Sequence, residues 1–252
     1  MPHTQGIGVI NSLAKDSYGK QLGIVFIPGA GLGGWVWDDV SKELNVPSLA
    51  VEYPAQVKQT FSLEDYANNA LQQIDAAGFA KVVLVAHSLG GVVALRIADR
   101  LGQRLTGFVA VGAVIPKDGG SFVSALSFPR KVIMPLIIRF AGTKPPESAI
   151  RAGLCSDLSA EQADEIVKRF APESKAVYTD RSGVEIPDVP RMYVKLALDK
   201  EYGPALEDIM AANLGTTDIP NIVAGHLPML SQPNALADAL SRFMQKLTRD
   251  LQ

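Results

Sequence analysis

The chain has 252 residues, 47% of them hydrophobic and 20% charged, with 24 lysines and arginines against 26 aspartates and glutamates. That balance is too apolar for a disordered chain, and too near neutral for a nucleic-acid binder, which carries a basic footprint. The single cysteine, Cys155, excludes an intramolecular disulfide and a cysteine-based metal cluster.

Taken in chain order, the first thirteen residues lack the basic start and long apolar run of a signal peptide. With one cysteine in the chain, the expected compartment is the cytoplasm. Strands are expected at 8–13, 22–27, 47–51, 81–86, 107–115, 192–198 and 221–224. Near-continuous apolar runs such as Val82-Val83-Leu84-Val85 suit strands buried on both faces of a parallel sheet. Helices are expected between them. Ser62-Leu63-Glu64-Asp65 opens one with a capping-box pattern and Gly78 closes it. Others are expected over 89–101, 204–213 and 234–247. This alternation predicts a doubly wound, mostly parallel α/β sheet with helices on both faces. No membrane span is expected, because the most apolar run, 132–138, has seven residues and contains Pro135.

The alternation fails between 116 and 187. Gly119-Gly120, Pro129, Pro135, Pro145-Pro146 and Pro172 punctuate this stretch, and no strand pattern appears. It is too long for a structureless loop, so it reads as an inserted helical cap, with 1–115 and 188–252 forming the core. Phe122, Leu126, Phe128, Ile133, Met134 and Ile137 either line the roof of a pocket or simply pack the cap on the sheet. Lys117, Arg130, Lys131, Arg139 and Lys144 give the cap's first half a positive bias, read as a solvated basic face.

The most informative segment runs from Lys81 to Gly91. An apolar strand enters Ala86-His87-Ser88-Leu89-Gly90 and a helix pattern follows at once, the context in which a sharp turn presents a nucleophilic serine. The residues two before and two after that serine approach closely and must be small, as Ala86 and Gly90 are. A serine nucleophile needs a base. The chain has three histidines, His3, His87 and His226. His3 lies at the terminus, and His87, next to the serine, is expected to point away on the other side of the turn. That leaves His226, in the loop after the last strand. A carboxylate ending an earlier strand then holds the imidazole. Asp199 fits best, Asp118 is its rival, Asp218 lies at the wrong end of a strand and Asp208 on a helix. Two amides must face the developing oxyanion. Leu89, after the nucleophile, supplies one, and Ala30, in the glycine-rich loop after the strand at 22–27, the other. Gly29 lets the loop backbone approach the substrate.

That loop also contains Gly29-Ala-Gly31-Leu-Gly33-Gly34, a dinucleotide-binding string, with Glu52 downstream. Pro28 before it and the bulky Trp35 and Trp37 after it speak against that use, and it leaves Ser88 and His226 unexplained.

Together, Phe26–Trp37, 85–91, 199–206 and 225–233 resemble the α/β-hydrolase superfamily, and within it the branch of plant-type methylesterases, hydroxynitrile lyases and their bacterial esterase relatives. The segment 116–187 is only weakly matched. The resemblance implies a Ser88–Asp199–His226 triad and no metal or organic cofactor. The family's loop usually begins His-Gly, and here it begins Pro28-Gly29. The lyase members carry a lysine after the catalytic histidine and a threonine in the oxyanion loop. Leu227 and Gly29 stand at those places, which points to ester hydrolysis. Trp35, Leu227, Met229 and the apolar cap lead to the expectation of an uncharged, fairly hydrophobic small-molecule ester as partner. A ligand-binding protein that keeps the triad, and a lyase or acyltransferase using it, are the alternatives.

Overall fold

The computed structural model describes residues 22–54 and 60–250, so the strand expected at 8–13 lies outside the described residues. In chain order the strands are β1 (Leu22–Ile27), β2 (Ser48–Ala50), β3 (Lys81–His87), β4 (Leu105–Val111), β5 (Arg191–Leu196) and β6 (Asn221–Ile222). They form one sheet in the order β2-β1-β3-β4-β5-β6, and every neighbouring pair is parallel.

Parallel neighbours need crossovers, and helices supply them. These are α1 (Asp38–Glu43), α2 (Leu63–Ala77) and α3 (Gly90–Leu101) up to β4. Between β4 and β5 the chain forms α4 (Phe122–Ala125), α5 (Arg130–Ala141), α6 (Glu147–Ala152), α7 (Ala160–Arg169) and α8 (Lys175–Thr179). Then come α9 (Pro204–Leu214), α10 (Pro228–Ser231) and α11 (Pro233–Asp250). The expected box caps α2. Ser62 Oγ accepts the Asp65 amide while Asp65 takes the Ser62 amide, and Gly78, at φ +72°, ends the helix.

Alternate residues of each central strand serve opposite faces. Val25, Ile27, Val82, Leu84 and Ala86 pack with α2, α3 and α9. Ile24, Phe26, Val83 and Val85 pack with α1, α7 and α11. Both faces are therefore covered, which explains why these strands read as unbroken apolar runs rather than alternating ones.

Four strands, β2, β4, β5 and β6, are shorter than expected. β4 ends at Val111 because Gly112, at φ +46°, turns the chain out of the sheet. β5 ends at Leu196, whose amide is taken by the buried Glu207 carboxylate, at 3.1 Å from each oxygen. The strand order reverses between β1 and β3, since the chain leaves β1 towards β2 and leaves β3 towards β4. In open α/β sheets ligands bind beyond the C-terminal ends of strands at such a reversal. The loops that leave there begin at Pro28 and Ser88.

Candidate active site

β3 ends at His87, and Ser88 follows with φ +51°, a left-handed conformation that a non-glycine residue holds only when its surroundings impose it. Two contacts do so. A Cβ on Gly90 would lie 2.6 Å from the carbonyl oxygens of Ile27 and Pro28, and one on Gly91 would lie 2.4 Å from that of Val114. The two glycines let α3 enter between neighbouring strand ends, and the turn before it tightens accordingly. The helix itself begins at Gly90, with Leu89 in the capping position.

The loop after β6 carries His226 over this turn. His226 Nε2 lies 3.0 Å from Ser88 Oγ, and Nδ1 lies 2.9 Å from Asp199 Oδ2. Asp199 also accepts the amides of Glu201 at 2.6 Å and Tyr202 at 3.3 Å. All three side chains are buried. Burial alone would raise the Asp199 carboxyl, but the His226 charge, its hydrogen bond and the two amides outweigh burial and hold it below the ordinary value. Burial alone would lower His226, and here Asp199 prevails, raising it above 6.5. Each partner stabilises the charged form of the other. Asp118 is exposed, its carbonyl accepting Arg181 in the segment before α4. Asp218 pairs with Lys246 and Asp208 with Lys195. None of these three acids is hydrogen-bonded to His226.

His87 corrects the expectation that it points away. Its Nε2–H donates to the His226 carbonyl at 2.8 Å, and the two rings lie 4.8 Å apart. Burial, together with the neighbouring His226, pushes it down to about 3, so it stays neutral. Its buried Nδ1 has no hydrogen-bond partner among the described residues, and a Cβ on Gly29 would come within 2.7 Å of that atom. Gly29 thus serves the packing under the turn.

Tyr202 was not expected. Its hydroxyl lies 2.9 Å from Ser88 Oγ, and its ring meets His226 edge-on at 5.0 Å. Burial raises the phenol, keeping it protonated and able to donate to Ser88 Oγ. The only sequence signal was proximity, three residues after Asp199 in a loop leaving the same strand.

The loop after β1 is fixed from the segment between β4 and β5. Gly31, at φ +75°, has its amide on Glu173 Oε1 at 3.3 Å and its carbonyl on the Ala171 amide at 3.1 Å. The Phe170 ring fills the place where a Gly31 side chain would stand. Glu173 Oε2 accepts the Tyr66 hydroxyl of α2 at 2.6 Å. Burial pushes Glu173 up to about 7 against these two hydrogen bonds. No sequence pattern marks this acid.

A cavity of about 380 Å³ opens above Ser88, His226 and Ala30. Phe122, Leu126, Met134 and Ile137, four of the six apolar residues considered as a roof, line it, whereas Phe128 and Ile133 are exposed and outside it. The expected substrate contacts of Trp35, Leu227 and Met229 need correction. Leu227 and Met229 are wholly buried in the core on the α11 side of the sheet. Trp35 lies beside a second cavity with the Arg169 guanidinium 4.0 Å above its ring. No group of three or more His, Cys, Asp or Glu side chains among the described residues could hold a metal ion.

The model of the alpha/beta hydrolase family matches residues 24–239. The chain is 26% identical over 169 residues to a carbendazim hydrolyzing esterase of Nocardioides sp. (strain SG-4G), covering 61% of this chain and 70% of that protein. It is 24% identical over 253 residues to methylesterase 9 of Arabidopsis thaliana, covering 88% and 98%. An extracellular alpha/beta-hydrolase from a Paenibacillus species superposes with a TM-score of 0.79 at 19% identity, covering 88% of this chain and 98% of that one. This last likeness bears on the fold.

Proposed function

The chain belongs to the alpha/beta hydrolase family, and from that premise we propose that it is a serine hydrolase of carboxylic esters. The observation that carries this reading is the continuous hydrogen-bonded line from Ser88 Oγ through His226 to Asp199, opening on an apolar cavity. The named relatives, a carbendazim hydrolyzing esterase and a methylesterase, agree with it.

In the resting enzyme His226 Nδ1–H donates to Asp199 and Nε2 accepts the Ser88 hydroxyl proton. Ser88 Oγ attacks the ester carbonyl as Nε2 takes that proton, and Asp199 stabilises the imidazolium. The amides of Ala30 and Leu89 receive the oxyanion. Glu173 holds the Gly31 amide, which leaves Ala30 as the loop's donor facing the cavity. The tetrahedral intermediate collapses with proton return to the departing alcohol, leaving an acyl group on Ser88. Water activated by His226 then releases the acid. The Tyr202 hydroxyl holds Ser88 Oγ in position between turnovers.

The described residues up to 115 and from 188 make the core, and 116–187 is the cap whose aliphatic side chains select an uncharged, fairly hydrophobic substrate. Gly29 contributes by bringing the loop backbone close. The chemistry needs no cofactor. Cys155 is buried, and burial raises its thiol to about 11, so it takes no part and suits a reducing cytoplasm.

A fluorophosphonate probe and a panel of p-nitrophenyl esters test this. The expected result is labelling at Ser88 and ester turnover, both abolished in Ser88→Ala. Tight ligand binding without labelling would assign the chain to the binding proteins of this fold instead.

A further inference from the structure

Among the described residues ten large hydrophobic side chains are exposed, and six of them fall between 128 and 140. Such clustering is unlike the scattered apolar exposure of ordinary surfaces. On α5 the exposed residues Val132, Leu136 and Phe140 follow one another at a spacing of four, with Ile133 and Ile137 beside them, forming a single stripe. Ile138, on the opposite side, is buried and anchors the helix. At helical spacing Arg130 and Arg139 fall on the two edges of the stripe, both exposed. From 119 to 146 the chain has four cations, Arg130, Lys131, Arg139 and Lys144, and no acid, although the whole protein carries a net charge of −2. Lys175 reaches the same helix, donating to the Arg139 carbonyl at 3.0 Å.

We propose that α5 is a docking helix that lies on an anionic lipid surface, its apolar stripe inserted and its flanking cations on the headgroups. An apolar stripe bordered by lysine and arginine is the pattern of helices that rest in a membrane interface. A second copy of this chain fits less well, because a two-fold contact sets the same cationic borders against each other. Docking also gives the cavity a source of substrate. Ile137 belongs to the stripe and also lines the cavity above Ser88, beside Met134 and Ile138 of the same helix, which offers an apolar ester a path from lipid to cavity along α5. That delivery rests on the hydrolase reading, whereas the docking does not.

Flotation of the full chain with vesicles tests it, using phosphatidylcholine alone and phosphatidylcholine mixed with phosphatidylglycerol. Partition should be at least about tenfold stronger on the anionic vesicles and should fall as salt rises. Leu136→Gln with Phe140→Gln should lower it about tenfold. Neither side chain lines the cavity, so hydrolysis of a short soluble ester should stay at the wild-type rate. Arg139→Glu, which spares the apolar stripe and reverses one of its cationic borders, should weaken the preference for anionic lipid at least about threefold. Ser88→Ala should float as wild type does, so failed hydrolysis and failed docking are separately visible. The proposal is overturned if the wild type floats with neither vesicle, or equally with both. It is overturned as well if sedimentation shows a lipid-free dimer that Leu136→Gln with Phe140→Gln dissolves.

Discussion

The floor and the roof of the cavity are built on different principles. The floor comes from strand ends. Ser88, His226 and Asp199 are buried and joined at 2.9 to 3.0 Å, and a network of backbone amides and carbonyls holds them. The roof comes from short helices between β4 and β5, and it presents Phe122, Leu126, Met134 and Ile137, which fix no geometry by hydrogen bonding. The floor can therefore set what reaction occurs, and the roof only what fits. Glu173 is the point where the two meet, because a roof residue holds the loop that carries Ala30.

The contrast breaks most visibly at the floor. Ser88→Ala should lower kcat about 10⁶-fold, the scale seen when a serine nucleophile is removed. A residual rate near wild type on p-nitrophenyl acetate would refute the mechanism. Asp199→Asn should cost about 10⁴-fold, while Asp118→Asn should leave kcat unchanged. The wild-type enzyme needs neutral His226, so kcat/KM should rise with pH through a midpoint above 6.5, and loss of the Asp199 charge should move that midpoint down. An unmoved acid limb would show that Asp199 does not set the imidazole.

Smaller effects sharpen the boundary. Tyr202→Phe removes one hydrogen bond to Ser88 Oγ and should lower kcat about two- to tenfold with little change in KM. At the roof, Met134→Ala should change KM and chain-length preference by about tenfold or less, with kcat on the shortest ester preserved. Glu173→Gln tests the junction. Its carboxyl is raised to about 7 in the fold from an ordinary 4.5. The folded state thus favours the protonated form, and stability is lost as pH climbs from about 4.5 through about 7, by up to roughly 3 kcal/mol. Glutamine cannot ionise, so the variant should gain in Tm over wild type at pH 8 and gain little at pH 4. Equal differences at both values would show that the buried charge carries no strain.

The same division decided what the sequence disclosed. β1 and β3 are legible because double burial leaves an apolar run bounded by glycine, proline or serine, and the serine turn because Gly90 and Gly91 admit no side chain. His226 and Asp199 were found by elimination among few candidates and by strand position. Tyr202 and Glu173 were not, since each acts through a contact between segments far apart in the chain, Glu173 with Gly31 and Tyr202 with Ser88. Trp35, Leu227 and Met229 were misplaced for a related reason. Closeness in sequence to a loop or to His226 says nothing about which side of the sheet a side chain enters. His87 turns toward His226 rather than away because the backbone carbonyl of His226, distant in sequence, accepts its Nε2–H.

That bond between His87 and the His226 carbonyl joins residues 139 apart in sequence. Contacts of such separation form late in folding, since the loop entropy is met before the contact gives any return. On the ribosome β3 and Ser88 emerge well before His226, and a domain generally folds as a unit. Until the strand Asn221–Ile222 has docked, Ser88 therefore has no His226 beside it to take its proton. On the serine hydrolase reading, probe labelling of Ser88 therefore reports a completed sheet as well as catalysis.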